Sequence, residues 1–547
     1  MTTDPLSHGN KPNVILIGAE VLAVVVVAFG VLSAVISPTP HIDEMYHMLA
    51  ARSYNHSGSL VIQDGGEPYI RARAFTYAVA ACQRWFGETW ASARLPSLVS
   101  GSLLVAAVFV WLLRVAGHSA AWLGAALMLL APDLIAGSSM VRFYIPHALF
   151  IWLGWICLYE AVAGAWGVRA RSAWVIVAVV LALCALHLQE TTAIAGVSAL
   201  LWLIFEGAGW LMRCSASLRR RYLMLAAVVL LIVVPIGWLA LEASGMLAHM
   251  IDKLQTPRLW SLPHRNDIAY YHHYLSDAYP MLWGLFFLIA VSAVIHRRKA
   301  AWFCVVLFLT TFTVHSLLAF KAKRYLLYAL PCLFSLWALG GAGVLSWLRE
   351  SSRSILPDDW PSEGVLRRVL DRLLPVVLLV GVLFALWVAP GPKLGREMLI
   401  GRTLGPLARE NWSEASAVLK TLAERTGFVA SSSPPKALYY LGRHDLGLSV
   451  SQAAGREEFA VDRIMGRPVI TRSDSLKRVM IEHPSGLIVI ESAHWRVPRF
   501  VPDEVARFIL DHAQPIDLPD STGVMAFTWG LNDTDELSGG MEEQQEP

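Results

Sequence analysis

The sequence predicts a polytopic, mainly α-helical membrane protein that ends in a separate α/β domain. Three observations carry this. Charged residues make up only 16% of the 547-residue chain and mean hydropathy is +0.50, outside the range of an ordinary water-soluble domain. Apolar runs long enough to cross a bilayer, about 20 residues each, recur as far as Pro390. Beyond Pro390 the texture changes to short apolar runs separated by helical patterns. The net charge of +3 gives no electrostatic footprint for nucleic acid. The cysteines are scattered, and no Cys-x-x-Cys or Cys/His spacing points to zinc or a disulfide framework.

Run length places about eleven spans near 14–37, 97–114, 118–136, 144–164, 173–187, 189–211, 222–243, 280–295, 300–319, 324–347 and 373–390. The first has a polar lead-in and no small-residue cleavage site, so it reads as a retained helix rather than a signal peptide. Loop charge sets the orientation. With the N-terminus inside, the inner loops hold Arg114, Arg169, Arg171, Arg213, Arg219 to Arg221, Arg297, Arg298, Lys299, Arg367, Arg368 and Arg372. The outer face then receives Asp43 and Glu44, the 138–143 loop, His187 to Glu190, the 244–279 loop, Lys321 to Arg324 and everything after about 391.

The first outer loop, 38–96, is long and carries two amphipathic stretches, 44–55 and 73–86, on either side of the turn-rich Asp64-Gly65-Gly66-Glu67-Pro68. In the second, Phe75, Val79, Cys82 and Phe86 recur at helical spacing with Arg73 and Arg84 among them, a pattern suited to a helix lying in the membrane interface. In the last domain, Asn411-Trp412-Ser413-Glu414 reads as a capped helix start. Short apolar runs at 427–430 and 487–490 read as strands, with helices at 435–441, 456–464, 475–483 and 503–511. Alternation of strand and helix predicts a largely parallel sheet. The domains are therefore a membrane portion over 1–390 (including the 38–96 loop), an outer α/β domain over 391–531 and an acidic, apolar-poor tail over 532–547.

The chemistry gathers on the outer face. Asp43 and Glu44 stand where the chain first leaves the membrane, a costly place for carboxylates and one usually retained for function. Three basic clusters stand in outer loops, against the positive-inside tendency: Arg71 with Arg73, Arg142, and Lys321 with Lys323 and Arg324. A lipid phosphate would explain them, since Arg offers a fork to phosphate oxygens and Lys a point charge. A carboxylate can take a proton from a hydroxyl nucleophile, and cations can stabilise a departing phosphate. Together they suit transfer of a group from a lipid phosphate to an alcohol, with Asp43 as base, Glu44 as its neighbour, and Lys321, Lys323, Arg324, Arg142, Arg71 and Arg73 for the phosphate.

Several stretches resemble the GT-C superfamily of membrane glycosyltransferases, and within it the bacterial protein-mannosyltransferase and aminoarabinose-transferase group. Asp43-Glu44-x-Tyr46 opens the first outer loop. Gly66-Glu67-Pro68 with Arg71-Ala72-Arg73 resembles the family's Gly-x-Pro and basic segment. Phe86-Gly87 followed by Trp90-Ala91-Ser92-Ala93-Arg94-Leu95-Pro96-Ser97 resembles the approach to its second span. Lys323-Arg324-Tyr325-Leu326-Leu327-Tyr328-Ala329-Leu330-Pro331 resembles its late basic segment. Ser432-Ser433-Pro434-Pro435 and Tyr439-Tyr440-Leu441-Gly442-Arg443 are similar to the outer domain of many members.

The resemblance implies a GT-C fold and a polyprenyl-phosphate-linked sugar as donor. It implies a cell-envelope glycan, lipid or protein as acceptor, and inversion at the sugar carbon. It also implies a multi-pass protein of the bacterial inner membrane whose active site faces the periplasm. Asp43 matches the family's first-loop acid, and Lys321 and Arg324 match positions suited to the donor phosphate. One departure stands out. Many relatives carry a second acid before the fourth span, where this chain reads Ser139-Met140-Val141-Arg142-Phe143-Tyr144. Glu190 beside His187 is the alternative acid for acceptor binding, with Tyr325 at the sugar; the bland reading of His187 and Glu190 is a polar pair capping two helices. No cofactor is expected. Asp43, Glu44, His187 and Glu190 could offer ligands to a divalent metal, but no ligand spacing demands one and Arg and Lys can neutralise a monophosphate.

Two other functions compete. A flippase or transporter of a lipid-linked substrate would use the same outer charges as gates, but it calls for ionisable residues deep in spans, and Glu160, Glu206 and Asp133 stand near span ends. A scaffold whose outer domain binds a partner leaves the acid pair and the basic clusters without a purpose. The topology makes a direct prediction: reporter fusions after Lys393 and after Ser217 give outer and inner signals respectively, and the reverse at either site breaks it.

Overall fold

A computed structural model describes residues 14–34, 40–218, isolated positions between 220 and 242, 264–355, 410–450 and 457–531. The expected span at 373–390, the boundary near 391 and the acidic tail therefore lie outside the described residues, and the span at 222–243 is described only at isolated positions. The chain falls into two compact units. A helical unit takes residues 1–36, 72–75 and 94–403, and a sheet unit takes 37–71, 76–93 and 404–547. Most of the first loop thus belongs with the C-terminal residues, although chain order alone groups it with the membrane portion.

The helical unit contains α1 (Val14–Ser33), α4 (Trp90–Ala116, joined to this unit from Arg94), α5 (His118–Leu129), α6 (Pro132–Ser138), α7 (Tyr144–Ala163), α8 (Val168–Leu188) and α9 (Thr192–Arg213). It continues with α10 (Tyr270–Ala278), α11 (Pro280–Gly284), α12 (Phe286–Leu317) and α13 (Leu330–Ile355). Among the described residues seven helices are long and apolar enough to cross a membrane, eight if α5 and α6 count as one broken span. The chain is a multi-pass membrane protein.

Departures from the expected spans have local causes. The run at 118–136 breaks into α5 and α6, bent by 65°. Pro132 opens α6 and forces Ala131 to an extended φ −76°, ψ 115°, which ends the preceding helix. The spans expected at 280–295 and 300–319 meet in α12, where Arg297 leaves helical geometry at φ −139°, ψ 54°. Packing follows side-chain size. In α1 only Val24, Ala28 and Leu32 are buried, a single stripe at four-residue spacing. Gly340 and Gly343 of α13 let α12 approach so closely that an added Cβ would stand 2.6 Å from the Ile289 carbonyl oxygen and 2.6 Å from His296 Nδ1. Trp111, Trp152, Tyr159, Trp202 and Phe303 fill the interior, with ring centroids 4.9–6.3 Å apart in the closest pairs. Glu160 is satisfied by Arg114 at 2.9 Å and by the Trp166 indole N–H at 3.0 Å.

The sheet unit begins with α2 (Ile42–Ser57) and most of α3 (Arg73–Phe86). Gly58 ends α2 in the left-handed conformation at φ 74°. Met45, Leu49 and Ala50 of α2 pack with Leu60, Ile62, Tyr69 and Met465, and Tyr439 and Tyr440 press on the same cluster. The first loop is thereby built onto the C-terminal fold.

That fold consists of α14 (Trp412–Thr426), β1 (Val429–Ser431), α15 (Pro434–Leu441), β2 (Leu446–Leu448), β3 (Ala460–Val461) and β4 (Pro468–Ile470). There follow α16 (Ser473–Glu482), β5 (Gly486–Glu491), α17 (Asp503–His512), β6 (Gln514–Ile516) and β7 (Val524–Trp529). The seven-stranded sheet has the order β3-β4-β2-β1-β5-β7-β6. Its centre, β4-β2-β1-β5, is parallel; β3 on one edge and β7 and β6 on the other are antiparallel. Alternate residues feed opposite faces, as a strand requires. Ala430, Ile488 and Ile490 join one core, and Val429, Leu487 and Val489 the other. Both faces are covered, which the continuous apolar runs of β1 and β5 anticipate.

The helix expected at 456–464 does not form over the described 457–464. Asp462 Oδ1 instead accepts the Ile464 and Met465 N–H groups at 2.9 and 2.7 Å, closing a turn after β3. At the carboxyl ends of β1 and β5, buried Lys436 bridges Glu410 at 3.1 Å and Glu491 at 2.9 Å. Burial pushes the Glu491 carboxyl up, but Lys436 and His494 outweigh it and hold Glu491 below the usual carboxylate range.

Candidate active site

Two adjacent carboxylates open α2 and do different work. His41 is the N-cap, extended at φ −68°, ψ 147°. Its Nδ1 accepts the Asp43 N–H at 3.2 Å, and its own N–H donates to Glu44 Oε1 at 2.8 Å. This is a reciprocal capping box, with histidine in the place usually held by Ser or Thr. Glu44 is fully buried in it. Asp43 keeps its side chain 28% exposed, with Oδ2 3.7 Å from His41 Nδ1. Of the pair, Asp43 is the acid that solvent or a substrate can reach.

One turn further, His47 anchors the helix. Its Nδ1 lies 2.9 Å from Thr76 Oγ1, its Nε2 3.4 Å from the Tyr69 hydroxyl, and its ring meets Tyr69 edge-on at 5.1 Å. Burial first, and the Arg71 charge second, lower its pKa to about 3, so it stays neutral at physiological pH. Tyr46 stacks on Tyr69 at 6.0 Å. The sequence reading passed over His47; its spacing of four from Asp43 and its isolation among apolar neighbours were the available signals. Arg71 is exposed in this unit, and Arg73 is exposed at the start of α3.

The helical unit collects cations around aromatic rings. Arg142 is only 6% exposed. Its guanidinium lies over the Tyr144 ring at 5.2 Å, and that of Arg324 lies over the same ring at 5.7 Å and over Tyr325 at 5.6 Å. The backbone of Arg142 is fixed by Ser97, whose hydroxyl donates to the Arg142 carbonyl at 3.0 Å. Burial lowers the Arg142 pKa to about 10; Tyr144 opposes this, and the Arg324 charge adds to it. Arg142 therefore remains cationic at neutral pH while repelled by a second cation.

Aromatic contacts hold this group in place. Tyr144 meets Tyr325 at 6.5 Å and Phe143 at 4.5 Å, and Tyr325 stacks on Phe320 at 5.2 Å and His315 at 6.3 Å. The Tyr271 hydroxyl donates to the Ala322 carbonyl at 3.0 Å and accepts the Ala322 N–H at 3.2 Å, clamping the strand-like segment before Lys323.

The three basic residues of that segment are not equivalent. Lys321 is buried, and its ammonium donates to the Leu318 carbonyl and, at 3.3 Å, to the Arg265 carbonyl. Lys323 is exposed and lies over the Tyr274 ring at 5.6 Å. Arg324 joins Arg142. Glu190 is half-buried between α8 and α9, His147 Nε2 of α7 lies 3.0 Å from Thr192 Oγ1, and His187 is exposed at the end of α8. Asp133, at the start of α6, accepts the Tyr279 hydroxyl at 2.6 Å. Among the described residues no group of three or more His, Cys, Asp or Glu side chains is arranged to hold a metal ion.

Comparison with solved structures identifies the fold. The chain superposes on ArnT from Cupriavidus metallidurans bound to undecaprenyl phosphate with a TM-score of 0.59 and 15% identity, covering 94% of this chain and 97% of that one. It superposes on the archaeal oligosaccharyltransferase AglB from Archaeoglobus fulgidus, in complex with an inhibitory peptide and a dolichol-phosphate, with a TM-score of 0.53 and 10% identity, covering 95% and 75% of the two chains. No protein-family model matches the sequence, and no curated protein matches it. The chain has the GT-C fold with a C-terminal sheet-containing domain.

The capping box yields a stability test. Glu44→Ala removes the acceptor of the His41 N–H and lowers stability by about 0.5–2 kcal/mol. Glu44→Gln keeps an oxygen in that place and loses less. Thermal unfolding of the purified protein measures both, and an unchanged Tm for Glu44→Ala contradicts the assignment.

Proposed function

We propose that this chain is a membrane glycosyltransferase that moves a sugar from a polyprenyl-phosphate donor to a hydroxyl group of a cell-envelope glycan, lipid or protein. The observation that carries the reading is the pair of guanidinium groups, Arg142 and Arg324, held on one tyrosine ring. An anion offsets the repulsion between two cations gathered at one ring, and a phosphate offers each a charged acceptor. The fold adds support: one superposed protein was solved with undecaprenyl phosphate and another with a dolichol-phosphate and a peptide.

In this mechanism Asp43 accepts the proton of the acceptor hydroxyl as its oxygen forms a bond to the anomeric carbon. The bond from that carbon to the phosphate oxygen breaks, and the electron pair leaves on the phosphate. A single displacement inverts the carbon. Arg142 and Arg324 stabilise the charge on the departing phosphate, with Lys323, Arg71 and Arg73 as further cations for the donor and Lys321 supporting the segment that presents Arg324. Glu44 holds the start of α2. Tyr325 borders the donor end, and Glu190 and His187 are assigned to the acceptor or sugar. The active site faces the periplasm of a bacterial inner membrane. The chemistry relies on no cofactor, because side-chain cations meet the phosphate charge.

Transfer from a radiolabelled polyprenyl-phosphate sugar tests this. Asp43→Asn preserves size and removes the base, so turnover falls by about 10²–10⁴-fold while donor binding stays measurable. Near-normal transfer by Asp43→Asn together with an inactive, well-folded Glu44→Gln would assign the base to the wrong acid. Normal transfer by both would remove the catalytic role of the pair.

A further inference from the structure

A second surface, unused by the transfer reaction, lies on the helices of the first loop. Thr76, Val79, Ala80 and Gln83 form the buried face of α3. Tyr77, Ala81, Arg84 and Trp85, at helical spacing, form another stripe. With Tyr54 and Asn55 of α2 this stripe lines an open groove of ≈ 480 Å³. Tyr54 and Tyr77 meet edge-on at 4.9 Å. Trp85 is 75% exposed and Tyr77 43%, an aromatic surface that water alone does not favour. The neighbouring acid is already engaged: Glu88 pairs with Arg52 at 3.2 Å and His56 at 2.8 Å. Among the described residues Arg84 makes no ion pair. The groove thus combines exposed rings with a cation that has no counter-charge among the described residues.

Chain continuity says what covers it. Only Gly87, Glu88 and Thr89 separate α3 from α4, a 27-residue helix apolar enough to cross a membrane. Five residues of fully extended chain reach at most about 18 Å to Trp90, and seven helical residues add about 10 Å to the span expected from 97, so the chain tethers Trp85 within about 30 Å of the membrane-crossing segment. Trp and Tyr prefer the headgroup layer, and Arg there takes a phosphate.

We propose that this groove binds one anionic phospholipid of the surrounding bilayer, its phosphate on Arg84 and its glycerol backbone against Tyr54, Tyr77 and Trp85. The test uses the full-length protein, stripped of lipid in detergent, incubated with synthetic phosphatidylglycerol or phosphatidylcholine, and read by native mass spectrometry. Wild type retains phosphatidylglycerol in preference to phosphatidylcholine. Arg84→Gln loses about tenfold in phosphatidylglycerol retention, Arg84→Lys loses less, and Trp85→Ser weakens retention of both lipids. Each side chain is exposed, and an unchanged unfolding temperature confirms that the variants fold. Equal retention of the two lipids by wild type overturns the proposal without any variant. Wild-type retention by folded Arg84→Gln overturns it as well.

Discussion

Two guanidinium groups share one tyrosine ring, and the candidate site is organised around that arrangement. Arg142 is buried, and Arg324 reaches the same ring from a segment 182 positions later in the chain. Burying a cation costs several kcal/mol, and a second cation beside it raises the cost. Aromatic faces return part of it. Much of the surrounding packing serves to hold this arrangement: Ser97 on the Arg142 backbone, Tyr271 on the Ala322 backbone, Lys321 on two carbonyls, and the stacked Phe320, Tyr325 and His315. A site held so firmly is preorganised, which is how fixed charges stabilise a developing anion without reorganising at the moment of reaction.

The sheet unit applies the same economy to its acids. An Asp-Glu dipeptide at a helix start offers two carboxylates, but the capping box takes one. Glu44 satisfies an orphan backbone donor and is buried in doing so. Asp43 remains partly exposed at the positive end of the helix dipole. His47, kept neutral by burial, ties the helix to Thr76 and Tyr69 and so fixes the direction in which Asp43 is presented.

Much of this is legible in the sequence where run length or local chemistry decides. Apolar runs place α1, α4, α7, α8 and α9, and helical spacing places α2 and α3. The strands β1 and β5 are legible because both of their faces are buried, which leaves a continuous apolar run. The edge strands β3 and β6 are not, being short and partly exposed. The stretch 456–464 carries a helical pattern, yet over the described 457–464 the Asp462 side chain competes for the backbone and turns it. At the candidate site, residue type is what makes the acids and the cations candidates, because charge in a loop expected to be outer is conspicuous. Pairing was beyond reach: nothing in the chain says that Arg142 and Arg324 meet on Tyr144 or that Lys321 donates to two carbonyls. Those are contacts of high sequence separation, or local backbone geometry, that no run or period encodes.

The account rests on the guanidinium pair being an anion site, and direct binding measures that without any requirement for turnover. The probe is undecaprenyl phosphate alone, titrated into the full-length protein in detergent. Wild type binds it, and Arg142→Gln and Arg324→Gln each weaken binding by about tenfold or more while the protein stays folded. Unchanged affinity in both folded variants would contradict the central claim and leave the two arginines as packing groups of the helical unit.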